Sequence, residues 1–511
     1  PRRTEVANRA TVHLQVNPAE DPTLLSAFIR YVLAENLYDA DFCAAHVEDL
    51  EGLRALVEPF TTSYAATRCG ISEDDLIAAA QIFGNAKRGV AVTGTGPNMS
   101  PRGILTEHLI CCLNTLCGRI NKVGERVPNP GVLQPQRARE AEVIAADPAY
   151  GKGPWSRVRG LGEIIGEMPT AALNDEILLE GEGQIKALIC LGGNPVVAFP
   201  DQDKTVRAMK ALDLLVCVDL YQSATAKLAD YIVAPTLSLE RDDVTMLTDT
   251  WYDQPYCHYT KAVLPRNPQS REEWEIYWEL SHRSGLALEL PGGALDTQAR
   301  PTKFDVLSLL TPNASVSLSE IATKGQGHIF SDVQVTVTEP EIKKEHRFQL
   351  LPADISEQLQ EVTGETYWQQ PANEDDGTVY SHLLISRRLK HVFNSSGQQL
   401  EGLRKKGTTN PAYIHPNDLE ALKLRSGDLV EIESAAGTLL GVVEAAEDIK
   451  PGVISMAHAW GDLPDNGGEV RTQGSSTNRL VDDDRTYNPI TGMPRMSAIP
   501  VNLRAVAEAV A

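Results

Sequence analysis

Between residues 22 and 36 the apolar positions Leu24, Leu25, Phe28, Ile29, Val32 and Leu33 follow an i, i+1, i+4, i+5 spacing that gathers one stripe on a helix. A second helix is predicted over 72–84, where Ser72 caps and Asp74 and Asp75 lie against the positive end of the helix dipole. The run Gly89 to Gly96 is short, β-rich and ends in glycines, so it predicts a strand and turn leading into an apolar helix over 103–117. From 125 to 170 periodicity fades among Gly, Pro and Arg, which predicts a long loop laid over the surface or a ligand. An α/β rhythm then returns: a strand at 185–191, the turn Gly192-Gly193-Asn194-Pro195, a helix near 201–211, a strand at 214–219, a short strand within 229–235 and a Trp-rich helix at 271–284. Continuous apolar strands of this kind suit a parallel sheet buried on both faces. The polar stretch 369–377 predicts a linker, and the short β-runs 429–433, 437–443 and 452–456 beyond it predict a separate β-barrel-like domain. Neither an internal repeat nor a low-complexity tract is present.

Composition narrows the classes. A chain of 511 residues with 42% apolar and 23% charged residues has room for three or four domains and is neither disordered nor fibrous. Its net charge of -22 repels phosphate backbones, so nucleic acid is not an expected partner. With no run of about 18–20 apolar residues, no direct membrane span is expected. Eight cysteines are too sparse for a disulfide framework, which predicts reduced thiols and a cytoplasmic protein. The chain opens on Pro1-Arg2-Arg3-Thr4-Glu5 without an initiator Met or a signal peptide, so an upstream portion is expected; a leader there would leave periplasmic export open.

Three features carry candidate chemistry. Leu191 to Val196 (LGGNPV) follows a buried strand, where glycines admit a backbone close to a ligand and a helix start favours phosphate; an ordinary βα turn is the alternative. Asp219 ends the next strand, a place from which an acid binds a ribose hydroxyl or a guanine edge, or simply caps a helix. The stretch 455–502 is dense in Gly and polar residues, suiting an anionic, heteroatom-rich ligand or plain solvated turns, and includes His458, a candidate base or a structural histidine. Cys111, Cys112 and Cys117 lie on one apolar helix without the partners a cluster or zinc requires, so core packing is expected. Neither H-E-x-x-H, G-x-S-x-G nor a Walker motif occurs, which leaves hydrolase and NTPase readings without an anchor.

Taken in order, these segments resemble the molybdopterin oxidoreductases of the dimethyl sulfoxide reductase type. The opening Pro-Arg-Arg-Thr is similar to a D-P-R-x-T element, and Asn17 to Asp21 to a P-G-T-D element that keeps Asp21 but replaces its Gly and Thr. Gly94-Thr95-Gly96 and Cys117 to Gly124 resemble a glycine turn and the L-x-G-N-I-G-R-x-G segment; LGGNP and Asp219 to Asp230 resemble G-x-N-P and D-x-F-x-T-x-T-A-x-x-A-D. Leu239-Glu240-Arg241 begins an E-R-x-G-T element from which Asp242, Asp243 and Val244 depart. Ser386 to Arg388, Ile414 to Leu419, Leu424 to Val430, Ala457 to Gly461 and Ser476 to Leu480 fall in the order of the dinucleotide-binding barrel. The resemblance spans essentially the whole chain.

It implies two Rossmann-like α/β domains and a C-terminal β-barrel of double-psi type. Residues 1–85 would be the remainder of one α/β cofactor-binding domain and 86–300 a second containing the GNP region. Residues 301–377 would connect them to the barrel at 378–511. The implied cofactor is bis-molybdopterin guanine dinucleotide with molybdenum or tungsten, and a [4Fe-4S] cluster and the metal's protein ligand are expected upstream. A guanine presents N1–H and an amine that one carboxylate accepts together, which the resemblance assigns to Asp21 and Asp219. Arg2, Arg387 and Arg388 would take pyrophosphate, Thr225 a phosphate or ribose, and Asn478 a pterin edge; Thr4, Gly94, Gly96, Gly193, Asn194, Pro195 and Asp230 complete the implied binding residues. The implied activity is two-electron oxidation or reduction of a small substrate of the formate, sulfur-oxyanion or polysulfide, or nitrate class, with an electron-transfer subunit or redox partner. A non-catalytic relative, as in NADH:quinone oxidoreductase, is the alternative; retained Asp21, Asn194, Asp219 and Asn478 weigh against it. Against an NAD(P)-dependent Rossmann dehydrogenase stand the missing GxGxxG and the appended barrel.

Overall fold

A computed structural model describes residues 1–145, 153–342, 344–365, 377–405, 407, 409–464 and 470–506. The predicted stripe forms the helix Asp21–Ala34, with Pro22 in its first turn and Leu25, Ala27, Ile29, Val32 and Leu33 buried. Helix Glu73–Asn85 is capped as expected, Ser72 Oγ accepting from the Asp75 N–H at 3.3 Å. Both pack with Gly103–Leu116 and with the shorter helices Ala40–His46, Leu50–Val57 and Thr62–Cys69 around Phe60, Leu76, Leu105 and Leu109. Leu350, Ile355, Leu359 and Val362 join this core from the 301–377 stretch, and Val47–Glu48 pairs in parallel with Phe348–Gln349. The packing therefore runs unbroken across residue 85 and takes in part of the 301–377 stretch. Cys112 and Cys117 are buried here, their thiols pushed up to about 12 and about 11 by burial, whereas Cys111 is turned to solvent rather than into the core.

Residues 89–96 do not form the expected strand. Ala91, whose N–H and C=O a sheet neighbour would use, exchanges both with the side-chain amide of Asn114 at 2.8 Å, and Val90 and Val92 are exposed. The stretch 125–145 and 153–169 is largely irregular as predicted, with two-residue strands at Arg126–Val127 and Arg139–Glu140 that pair on either side of Val335–Thr338. Asp249 pins it from below, accepting from the N–H groups of Val132 and Leu133.

The strands Ala187–Leu191, Leu214–Val218 and Tyr231–Val233 form a parallel sheet in that order, in register Cys190↔Cys217 and Val216↔Tyr231. Helices Thr170–Leu178 and Gln202–Ala211 cover one face through Ile177, Val206 and Met209. The other face corrects the expectation of two-sided burial: Ile189 is 41% exposed, Leu191 45% and Tyr231 65%, and no described segment covers them. Helix Glu273–Ser284 follows, with Trp278 buried against Leu295 and Val306.

Six strands close the C-terminal barrel, in the order His382–Arg387, Val453–Ala457, Ala412–Ile414, Thr438–Ala445, Leu429–Glu433 and Ile499–Ala505. Alternating positions fill it with Leu384, Val430, Ile432, Val443, Ile454 and Val501. Backbone hydrogen bonds that dock the barrel include Arg3 N–H on Asp448 O, the N–H groups of Met496 and Ser497 on Met99 O, and Asp201 N–H on Val481 O. Among those segments, a chain of side chains ties Asn174, Asp175 and Lys204 to Asp483 at 2.7–2.8 Å. The linker expected at 369–377 lies, save Gly377, outside the described residues. No described helix is long and apolar enough to cross a membrane.

His382 begins the first barrel strand buried, with Asp418 at 3.8 Å, and burial holds its imidazole below its ordinary value despite that carboxylate. The neutral ring is the form the fold prefers, so its contribution to stability is complete above the unfolded value of about 6.5 and is lost as pH falls through the lower folded value. Melting followed between pH 7.5 and 5 is expected to fall more steeply for the native protein than for His382→Gln. Parallel curves would contradict this.

Candidate functional site

Two clusters gather most of the residues nominated from sequence. In the first, Arg387 ends the strand His382–Arg387, opposite Ala457, with its guanidinium carbon 3.8 Å from the centroid of the Tyr413 ring. Its Nε and Nη1 are buried and have no hydrogen-bond partner. Burial and the neighbouring Arg2 guanidinium both hold its pKa below the usual arginine value. Arg2 bridges to Ile449 and lies 3.2 Å from the Asp448 carboxylate. Two guanidinium forks, one with unmet buried donors, form a place that an oxyanion with several acceptor atoms fits, since unpartnered buried donors are rare and costly.

Asp21 opens its helix beside this cluster, and burial pushes its carboxyl up. The residue before it, Glu20, forms a buried pair with Arg68 at 2.7 Å, with side chains 2% and 8% exposed. Arg68 also donates to Tyr64 Oη and Val362 O, and Cys69 O accepts from Asn17 N–H and Lys450 Nζ. The Thr4 hydroxyl is engaged locally, its Oγ1 accepting from Ala7 N–H at 3.2 Å.

The second cluster is the GNP turn. Gly192 takes a left-handed φ of 59°, which turns the chain out of its strand while its N–H still donates to Val218 O. Asn194 Oδ1 accepts from the hydroxyl and the N–H of Thr225 at 2.9 and 3.2 Å, and Thr225 Oγ1 accepts from Val196 N–H at 3.1 Å. Gly193 and Pro195 are thereby fixed between the strand and a one-turn helix, Pro195–Ala198. Asn478 reaches in from the barrel, 1% exposed, donating to Val196 O and Phe199 O and accepting from Ser476 Oγ. Asp219 sits at the carboxyl end of its strand, accepting from Ser223 Oγ at 2.8 Å and Tyr221 N–H at 3.3 Å.

Four further nominated positions, Asp230, Gly94, Gly96 and Arg388, lie outside these two groupings. Asp230 is at the opposite, amino-terminal end of the sheet, where its carboxylate accepts from Leu215 N–H at 2.7 Å. Gly94 and Gly96 belong to the irregular turn ahead of Pro97–Met99, next to the contact of Met99 with the barrel. Arg388 pairs with Asn394 and lies over the Phe393 ring, on the rim of a recess lined with Arg387, Val392, Asn394, His458 and Trp460. There His458 contacts Ser386 Oγ and Asn394 Oδ1, burial and Arg388 lower its pKa, and Trp460 Nε1 is buried without a partner. Tyr413, Asn394 and Lys450 were not singled out from sequence; barrel register brings Tyr413 under Arg387, Asn394 pairs with Arg388 within one loop, and Lys450 reaches Cys69 O. The segment Cys117 to Lys122 lines a separate recess of about 480 Å³ with Asp39, Arg88 and Glu125. No group of three or more His, Cys, Asp or Glu among the described residues is arranged to hold a metal ion.

Residues 1–283 match the family model described as Molybdopterin oxidoreductase, and residues 383–500 that of the Molydopterin dinucleotide binding domain. The chain is 26% identical over 475 residues to an F420-dependent formate dehydrogenase subunit alpha of Methanocaldococcus jannaschii, covering 89% of this chain and 66% of the relative. It is 23% identical to a trimethylamine-N-oxide reductase of Haemophilus influenzae, over 90% of this chain and 61% of that one. To a nitrate reductase of Synechocystis it is 26% identical, over 99% and 70%. The chain thus spans about two thirds of the length of the curated relatives it matches. Its fold superposes on acetylene hydratase from Pelobacter acetylenicus with a TM-score of 0.73 at 18% identity, covering 98% of this chain and 72% of that one.

Proposed function

The chain belongs to the molybdopterin oxidoreductase family, and on that premise we propose that it is the larger part of a catalytic subunit holding two molybdopterin guanine dinucleotides around one molybdenum or tungsten. The observation that carries this reading is the half-buried Arg387, whose buried Nε and Nη1 lack acceptors beside Arg2. In it, Arg2 and Arg387 hold a pyrophosphate, with Arg388 at the rim, and Asp21 takes the guanine of that nucleotide. Asp219 takes the guanine of the second nucleotide over the GNP turn. Asn194, Thr225 and Asn478 keep that turn rigid so that Gly193 offers its backbone to the ligand. When bound, the metal supplies two-electron exchange with a small substrate.

The names of the relatives span formate dehydrogenation and reduction of N-oxide and nitrate, which supports a small, polar substrate; formate, sulfur-oxyanion or polysulfide, and nitrate are the classes proposed. Relatives named as alpha subunits support a partner subunit that carries electrons, and a [4Fe-4S] cluster belongs to the same proposal. The mixed pairing within the six-stranded barrel supports a double-psi type, and the parallel sheet supports a Rossmann-like domain. Free thiols throughout support a cytoplasmic setting.

Asp219→Ala tests the assignment. Loss of a charge-assisted pair of about 1.5–3 kcal/mol predicts roughly ten- to 100-fold weaker retention of one nucleotide with the fold intact. Metal and nucleotide per folded protein are measured; a variant that aggregates with full cofactor occupancy would make Asp219 a structural cap.

A further inference from the structure

Cys190 and Cys217 stand opposite one another in the parallel register of the strands Ala187–Leu191 and Leu214–Val218. Adjacent strands are about 4.8 Å apart, inside the Cα separation of about 4.4–6.8 Å that a disulfide bridges, and register partners project to the same face. Here that face is the buried one: Cys190 is 8% exposed and Cys217 1%, and both thiols are free. Cys190 Sγ donates to Gly193 O at 3.3 Å, so the pair is joined to the GNP turn by a hydrogen bond of its own. The two thiols are not equivalent. A hydrogen bond from Cys217 lowers the pKa of Cys190 and raises that of Cys217. Cys43 and Cys117, which share the helical core, are both pushed up to about 11 by burial and lack such a register.

We propose that Cys190 and Cys217 are a redox-modification site, oxidised by a peroxide to an intrachain disulfide that loosens the GNP turn and with it the hold on the nucleotide. Cys190 attacks hydrogen peroxide, its sulfur taking one oxygen as a sulfenic acid while the other leaves as water. Cys217 then displaces that oxygen as a second water and closes the S–S bond, so two thiols lose two electrons and the peroxide gains them. The bond consumes the Cys190 hydrogen that Gly193 O accepted, leaving that carbonyl without its donor.

The second half of this proposal rests on the cofactor reading above; the first does not. The full chain, with and without cofactor, is treated with hydrogen peroxide, remaining thiols are capped with N-ethylmaleimide, and tryptic peptides 187–204 and 211–227 are sought as a linked pair. The linked pair is expected in the native protein, absent in Cys217→Ser, and reversed by dithiothreitol. Retained guanine nucleotide is expected to fall by about two- to tenfold on oxidation, the worth of one neutral hydrogen bond, and to be spared in Cys217→Ser. Both cysteines capped after peroxide, or linked elsewhere, would overturn the pair. A disulfide that leaves nucleotide retention unchanged would overturn its effect on the turn. A linked pair in protein purified with metal but no nucleotide would support the redox site while contradicting the cofactor reading.

Discussion

Arg387→Met is expected to raise the denaturation midpoint of the cofactor-free protein while costing the loaded protein most of its nucleotide. The side chain is half-buried and stacked on Tyr413, with its buried Nε and Nη1 left without acceptors beside a second cation. An unsatisfied buried donor costs about 1–3 kcal/mol, so an apolar side chain of similar length relieves the empty fold. With an anion in place the same atoms make charge-assisted hydrogen bonds worth about 1.5–3 kcal/mol, and their loss weakens retention roughly ten- to 100-fold. Opposite signs in the two states are the signature of a binding residue. A midpoint that falls in the empty protein, with retention unchanged, would make Arg387 a packing residue of the barrel.

The largest effect on stability is expected at Arg68. Its partner Glu20 is buried, and burial pushes the Glu20 carboxyl up even with the guanidinium at 2.7 Å, so the pair does not fully offset the desolvation of its own charges. Arg68→Met leaves that carboxylate uncompensated and also frees Val362 O and Tyr64 Oη, for a loss of about 3–5 kcal/mol. Glu20→Gln combined with Arg68→Met is expected to recover much of this, because both charges are then gone. Denaturant unfolding of the two single variants and the double variant gives the coupling directly; additive losses would show that the two side chains act independently.

Much of the architecture was legible because its causes are local. The stripe from Leu24 to Leu33 and the Ser72 cap dictate their helices without reference to the rest of the chain. Alternation in the last third does the same for the barrel strands. The missing strand at 89–96 shows the limit: an apolar run becomes a strand only if a neighbour takes its N–H and C=O groups, and Asn114 takes those of Ala91. Two-sided burial of the parallel sheet was likewise a statement about neighbours, and Ile189, Leu191 and Tyr231 are left largely open among the described residues. At the site, Asn194, Thr225 and Asn478 meet around Val196 in the turn after the first parallel strand. What pattern could not convey is how their groups are spent, with Asn478 donating to Val196 O and Phe199 O and Asp230 tying down the start of a strand. Tyr413 under Arg387 is legible only from barrel register.

The central claim, that the two clusters each hold a guanine dinucleotide of one metal cofactor, is tested most directly by acid extraction of metal-loaded protein and chromatography of the released nucleotide. Guanine nucleotide is expected at about two per metal, one for each acid-bearing cluster around Asp21 and Asp219. Adenine nucleotide, or metal-loaded protein that releases no nucleotide, would contradict it.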